Sequence, residues 1–176
     1  DATERKGQTA IMWASHEGHA AVVKVLLESG ADYETPLESG YTPFLFAVRE
    51  GHREIVYSFL DAGVDINLVT DPKRKGKKSP IAGTSPLLLA VENGHYDLAV
   101  ELLERGANPD DMSTGATVLH ALSWIRKPDK GESASGDPAP RGSGRRNSDQ
   151  FIRELIAKYG ANPNLRLEKG KNTLIG

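Results

Sequence analysis

The sequence predicts an all-α solenoid, in which short helix-turn-helix units stack side by side with hairpin-like fingers between them. Two observations carry this expectation. Closing blocks recur after apolar runs at Gly30-Ala31-Asp32, Gly63-Val64-Asp65, Gly106-Ala107-Asn108 and Gly160-Ala161-Asn162, and openings such as Gly40-Tyr41-Thr42-Pro43-Phe44 and Gly83-Thr84-Ser85-Pro86-Leu87 precede those runs. The spacing is also constant: Gly7 to Gly40 is 33 residues, and Gly30 to Gly63 is again 33. A fixed period of this size marks stacked supersecondary units, each covering its neighbour's apolar face. Such arrays offer extended binding surfaces, which shifts the expectation away from catalysis before any one residue is weighed.

Each element follows from local chemistry. Thr9, Thr42, Ser85 and Thr117 share one register position, where a hydroxyl can accept from the free amides of a first helical turn. Pro43 and Pro86 come next, where a missing N–H and a preset φ suit the first helical position. First helices are expected over Ala10–His16, Phe44–Arg49 and Leu87–Glu92, each ended by Gly-His at Gly18-His19, Gly51-His52 and Gly94-His95. Second helices show apolar spacing at Val22, Val23, Val25, Leu26 and Leu27, then at Ile55, Val56, Phe59 and Leu60, then at Leu98, Val100, Leu102 and Leu103. Those positions form one stripe at 3.6-residue periodicity. Two short helices cannot cover such a stripe alone, so the neighbouring unit must.

With these motifs in place, the chain resembles the ankyrin-repeat family, whose period is 33 residues and whose Gly-x-Thr-Pro-Leu-His-x-Ala, Gly-His and Gly-Ala-Asp-x-Asn signatures run through nearly all of it. The resemblance implies one array of about four repeats and a partial fifth. Repeat one spans residues 1–34, repeat two 35–67 and repeat three 82–110, and repeat four spans 111–164. An inserted basic loop occupies 68–81, a flexible inter-helix insertion 127–147, and 165–176 begins a fifth repeat or forms another loop. Asp1 falls where a closing motif would end and no polar C-terminal cap is evident, so the chain is expected to be a monomeric section of a longer protein. The segment with Trp124-Ile125-Arg126-Lys127-Pro128 and Gly136-Asp137-Pro138-Ala139-Pro140 resembles loops of large bacterial ankyrin proteins, some exported and some carrying haem-binding domains. No Cys-x-x-Cys-His attachment motif is present, so no cofactor is expected on these residues.

Composition narrows the classes further. There is no apolar run near the length of a membrane span, and no basic or apolar leader follows Asp1. The absence of cysteine removes disulfides, thiolate metal sites and cysteine nucleophiles together, while leaving either redox environment open. The net charge of -2 conceals an acidic body with two basic loops. Lys73, Arg74, Lys75, Lys77 and Lys78 face only Asp71 within 71–78; Arg126, Lys127, Lys130, Arg141, Arg145 and Arg146 outnumber Asp129, Glu132 and Asp137 within 126–146, leaving -9 on the remainder. Gly40 to Gly83 is 43 residues, so about ten have been inserted with the first cluster. The second stretch, rich in Gly, Pro, Ser and charge, cannot bury enough apolar surface to order itself.

No chemistry assembles from the remaining motifs. His16-Glu17-Gly18-His19 lacks zincin spacing because a helix-ending glycine separates the histidines, and the recurrence of Gly-His marks a structural device. His120 holds the family's Thr-Pro-Leu-His position, where an internal hydrogen bond is expected. Gly142-Ser143-Gly144 is too short to cradle phosphate, and no nucleophile with its base and orienter can be found. The Lys73–Lys78 run could attract nucleic acid or an anionic surface. It lacks interleaved aromatics, the acidic body opposes it, and charge runs are usually solvated faces. The second insertion also joins two helices at the end opposite the fingers, so the two basic loops are not expected to merge.

The expected function is therefore a protein-interaction scaffold without catalysis or metal, binding a protein partner on a concave face. The resemblance places that face on finger tips and first-helix positions: Arg5, Lys6, Gln8, His16 and Glu17 in repeat one; Glu38, Ser39, Tyr41, Arg49 and Glu50 in repeat two; Thr84, Glu92 and Asn93 in repeat three; Ala116 and Trp124 in repeat four. Tyr41 and Trp124 are the expected aromatic anchors, because such residues dominate interface energetics. Trp13 is expected in the core. The alternatives are a docking module within a multidomain, haem-containing protein and an anionic-surface binder through Lys73–Lys78.

Overall fold

Eight helices form among the residues that the computed structural model describes, 7–73, 81–125 and 144–167. They are α1 (Ala10–Glu17), α2 (Ala20–Glu28), α3 (Pro43–Glu50), α4 (Arg53–Asp61), α5 (Pro86–Glu92), α6 (Tyr96–Glu104), α7 (Val118–Ile125) and α8 (Ser148–Ala157). Residues 74–78 of the basic run, most of the second insertion and the tail beyond 167 lie outside the described residues. The chain divides into two compact units, Asp1–Pro86 and Leu87–Gly176.

The turns are set by local hydrogen bonding. After α1, α3 and α5 the histidine N–H of each Gly-His pair donates five residues back, from His19 to the Ala14 carbonyl at 2.9 Å, His52 to Ala47 at 2.9 Å and His95 to Ala90 at 2.8 Å. Ala31 to Leu26, Val64 to Phe59 and Ala107 to Leu102 repeat the pattern after the second helices at 3.0, 3.1 and 2.9 Å. This bond closes a helix only when the residue before the donor is left-handed, which is why glycine stands there. Gly18 has a second reason: it sits at φ 80°, and an added Cβ would come 2.7 Å from the His52 ring of the next helix pair. That ring nitrogen, His52 Nε2, lies 3.0 Å from the His16 carbonyl oxygen, so the His52 ring stitches the second helix pair to the first.

The helix starts are less uniform than their sequence register. Thr42 caps α3 by accepting from the Leu45 amide at 3.4 Å, with Pro43 opening the helix. Thr117 accepts from the His120 amide at 3.4 Å, and His120 Nδ1 in turn accepts from the Thr117 amide at 3.2 Å. Thr9 departs from expectation, since its hydroxyl makes no capping bond and is buried without a partner. A full capping box opens α8, where Asn147 accepts from Gln150 N–H and the Gln150 side chain accepts from Asn147 N–H.

In the first unit α1 packs on α3 and α2 on α4. Phe44, Leu45, Ile55, Val56 and Phe59 are buried between them, with the Phe44 and Phe59 rings edge to face at 6.3 Å. The apolar stripe of α2 is only partly covered, contrary to expectation: Val23 is buried, but Val22 and Val25 are exposed. Val22 shares its register with Ile55, which is 1% exposed because α2 lies against it. Apolar pattern chooses the face; only a neighbour buries it.

The first insertion leaves this packing intact because its neck is clamped. Thr70 N–H donates to the Thr84 carbonyl at 3.1 Å and Gly83 N–H to the Thr70 carbonyl at 2.7 Å. The buried Thr70 hydroxyl donates to the Ile81 carbonyl at 2.7 Å and accepts from the Thr84 amide at 3.0 Å. Closing a loop at its base confines the cost of extra residues to the loop itself.

In the second unit α8 packs on α6 and α7. Phe151 is buried and stacks on Tyr96 at 5.4 Å, while Leu155 and Leu122 complete the apolar contact. Lys158 Nζ and Tyr159 Oη both donate to Glu104 Oε1, at 2.9 and 3.3 Å. The last residues of the insertion expected to be flexible are tied down. Arg145 N–H donates to Asp97 Oδ2 at 3.0 Å, and Arg146 bridges Asp97 Oδ1 at 2.7 Å and Glu154 Oε1 at 3.1 Å. Those carboxylates hold the Arg146 guanidinium firmly protonated, its pKa raised above the usual value, so this charge does not contribute to a free basic loop.

Candidate functional site

The first unit gathers five of the residues proposed from sequence into one surface cluster. Its centre is Arg49, whose position is set by α3: Phe46 and Arg49 are three residues apart and share a helix face. The guanidinium lies 5.3 Å from the Phe46 ring centroid and 5.5 Å from that of Tyr41, while its Nε donates to Glu50 Oε1 at 2.7 Å. Tyr41 reaches the same face from the finger. Its carbonyl accepts from Leu37 N–H at 2.9 Å, and Gly40, at φ 81°, brings the backbone so close to Asp71 and Pro72 that a Cβ would meet them at 2.9 to 3.0 Å.

His16, from the end of α1, joins the cluster across the helix stack. Its Nδ1 lies 3.3 Å from Arg49 Nη2 and 3.4 Å from Glu50 Oε1, and its Nε2 lies 3.7 Å from Glu17 Oε1. The imidazole stands edge-on to Phe46 at 5.9 Å and to Trp13 at 6.4 Å. Trp13 corrects a sequence expectation, being 47% exposed rather than part of the core. Its register equivalent is Phe46, which is buried beneath His16, Tyr41 and Arg49. The result is a chain of π-faces with one guanidinium at its centre and carboxylates on both flanks. Stacked arginine and aromatic groups lose little rotamer freedom on contact, which makes them effective interface anchors.

The other proposed residues are scattered. Gln8 is half-buried, Glu38 is exposed in the finger with its carbonyl accepting from Lys73 N–H at 2.9 Å, and Ser39 is half-buried beside it. Thr84 is buried at the clamped neck, its hydroxyl donating to the Ile81 carbonyl at 3.0 Å, so it offers nothing to a partner. Ala116 is buried as well. In the second unit Asn93 turns its amide back to the Leu89 carbonyl at 2.8 Å, and burial pushes the Glu92 carboxyl up to about 7. Arg5, Lys6 and the Trp124 side chain lie outside the described residues. Among the described residues no group of three or more acidic or histidine side chains could hold a metal, and no helix is long and apolar enough to cross a membrane.

Short helix pairs closed by left-handed glycines, with a mixed aromatic and charged surface on the first helices, define a helical repeat protein built for recognition. The family comparison agrees. A model of ankyrin repeats in three copies matches residues 1–70 and a single ankyrin-repeat model matches residues 82–113, together more than half of the chain. The chain belongs to the ankyrin-repeat family, whose members are generally protein–protein interaction modules and typically not enzymes. Comparison with curated proteins gave no match.

Proposed function

We propose that the chain binds a protein partner through the finger and first-helix surface of its first unit, with Tyr41 and Arg49 as anchors and His16, Glu17, Glu50 and Trp13 around them. The observation that carries this reading is the partly exposed Arg49 guanidinium poised over two aromatic rings and bordered by Glu50. An arginine needed only for stability would gain little from such a surface arrangement, since exposed ion pairs contribute about 1 kcal/mol or less. Gln8, Glu38 and Ser39 would extend the contact along the fingers. In the second unit, Glu92 and Asn93 would be contact positions in their own right.

The test is co-purification with the parent chain and with Tyr41→Ala and Arg49→Ala, each first shown to keep parental helicity. Loss of the parent's partners from both variants supports the assignment. Retention of the same partners at unchanged affinity by both would place the interface elsewhere.

A further inference from the structure

The first unit also contains a cavity of about 420 Å³, lined by residues of two successive fingers, among them Gly40 and Thr42 on either side of Tyr41. Tyr33, Pro36, Val64, Leu68 and Val69 give it an apolar lining beside polar Thr42, and its charged lining is acidic throughout, with Glu34, Asp65 and Asp71 and no cation among the described lining residues. The volume is in the range of ligand-binding clefts, about 300 to 1,000 Å³.

The walls are held in place from within. The Tyr33 ring packs on buried Phe59 at 6.0 Å, and its hydroxyl donates to the Ala62 carbonyl at 3.2 Å. Asp32 accepts from Glu34 and Thr35 N–H, both at 3.0 Å, and Asp65 accepts from Asn67 N–H at 2.9 Å. Gly63 lines the space, and a Cβ added there would meet no atom within 4 Å. Val69, a large apolar side chain, is 39% exposed.

We propose that this cavity receives a lysine or arginine side chain from a basic segment of a protein partner. An apolar interior with carboxylates matches a side chain that is itself an apolar stem with a cationic head. The Tyr33 ring adds a face to which a cation is attracted. An acidic or purely apolar side chain would satisfy only part of this lining, since the first meets like charge and the second leaves three carboxylates partly desolvated and unpaired.

The test uses the isotope-labelled chain and three blocked model peptides, alternating glycine with lysine, norleucine or glutamate. The lysine peptide is expected to shift the amide resonances of Tyr33, Gly63, Val64 and Leu68. Combining Glu34→Gln, Asp65→Asn and Asp71→Asn is expected to weaken that binding about tenfold. Neutralising two exposed carboxylates of the first unit outside the cavity lining, Glu28 and Glu54, is expected to change it less than about twofold. Glu34→Gln alone, the mildest change, should give an intermediate loss and keeps the test informative if the triple variant is poorly folded. Equal weakening by the Glu28 and Glu54 neutralisations, or equal binding of the norleucine peptide, would overturn the proposal. So would resonance shifts at the cavity on replacing Lys75, Lys77 and Lys78 by serine with no peptide present, because the occupant would then be the chain's own basic segment.

Discussion

His16 Nδ1 lies 3.3 Å from Arg49 Nη2, although the two residues stand 33 positions apart. That separation is the repeat period itself, so the two occupy the same register position in successive helix pairs. Stacking therefore turns equivalent positions into neighbours, and a recognition surface arises from residues that a single unit could not bring together.

The Arg49 guanidinium is expected to serve recognition more than stability. Arg49→Ala should lower unfolding free energy by about 1 kcal/mol or less, because both members of its pair with Glu50 are about one-third exposed. Chemical denaturation alongside partner binding checks this; a loss of several kcal/mol would identify the residue as structural.

Glu92 should make stability depend on pH. Its folded-state value, raised by burial from 4.5 to about 7, means the folded state holds this proton more tightly than the unfolded chain. The stabilising contribution is fully present below pH 4.5 and is lost as pH rises through 7. Relative to the parent, Glu92→Gln should gain about 2 kcal/mol between those limits, a figure reduced for the partial exposure of the group. Denaturation of both proteins across that pH range reads the difference, and parallel curves would contradict it.

Two glycine substitutions separate backbone strain from collision. Both Gly18 and Gly30 have positive φ, but an added Cβ meets the His52 ring at Gly18 and nothing within 4 Å at Gly30. Gly30→Ala should cost about 1 kcal/mol from the left-handed backbone alone. Gly18→Ala should cost more, by about 1 kcal/mol, and should also perturb the His52 ring resonances.

Thr70 and Thr9 should respond oppositely to valine. Thr70→Val leaves the buried Thr84 N–H without its side-chain acceptor and removes one of the two hydroxyl donors of the Ile81 carbonyl, at a cost of about 2 kcal/mol. Thr9→Val removes a buried hydroxyl that has no hydrogen-bond partner, so stability should be unchanged or higher. Thermal unfolding of the two variants provides the comparison.

A double-mutant cycle at Asp97 and Arg146 should return a coupling of about 1 kcal/mol, since the pair is direct at 2.7 Å and Asp97 is only 15% exposed. Coupling near zero would show that the end of the insertion is held by its backbone bonds, the Arg146–Glu154 pair and the Asn147 cap.

Much of the fold was legible because its signals are short-range. The Gly-His turns, the proline at the first position of α3 and the closing glycines each act through partners within about six residues. The Asn147–Gln150 capping box was equally local and readable as Asn-x-x-Gln, but the expected loop obscured it. Candidate site residues were legible where register alone matters, as for His16, Tyr41 and Arg49. Thr84 and Ala116 share finger positions with the half-buried Gln8 and Tyr41, yet the neck clamp and local packing bury them fully.

The sequence by itself determined the repeat period, the helix pairs, their turns and the family, because these follow from hydrogen bonds and backbone preferences inside one unit. Tertiary structure decided which apolar faces are covered and which charges remain available. Trp13 and Phe46 are both aromatic residues at one register position, yet one is 47% and the other 7% exposed. Arg146 looks like a free basic residue until Asp97, 49 positions away, reaches it. Burial and pairing depend on groups contributed by another part of the chain, and no local pattern encodes whether those groups arrive.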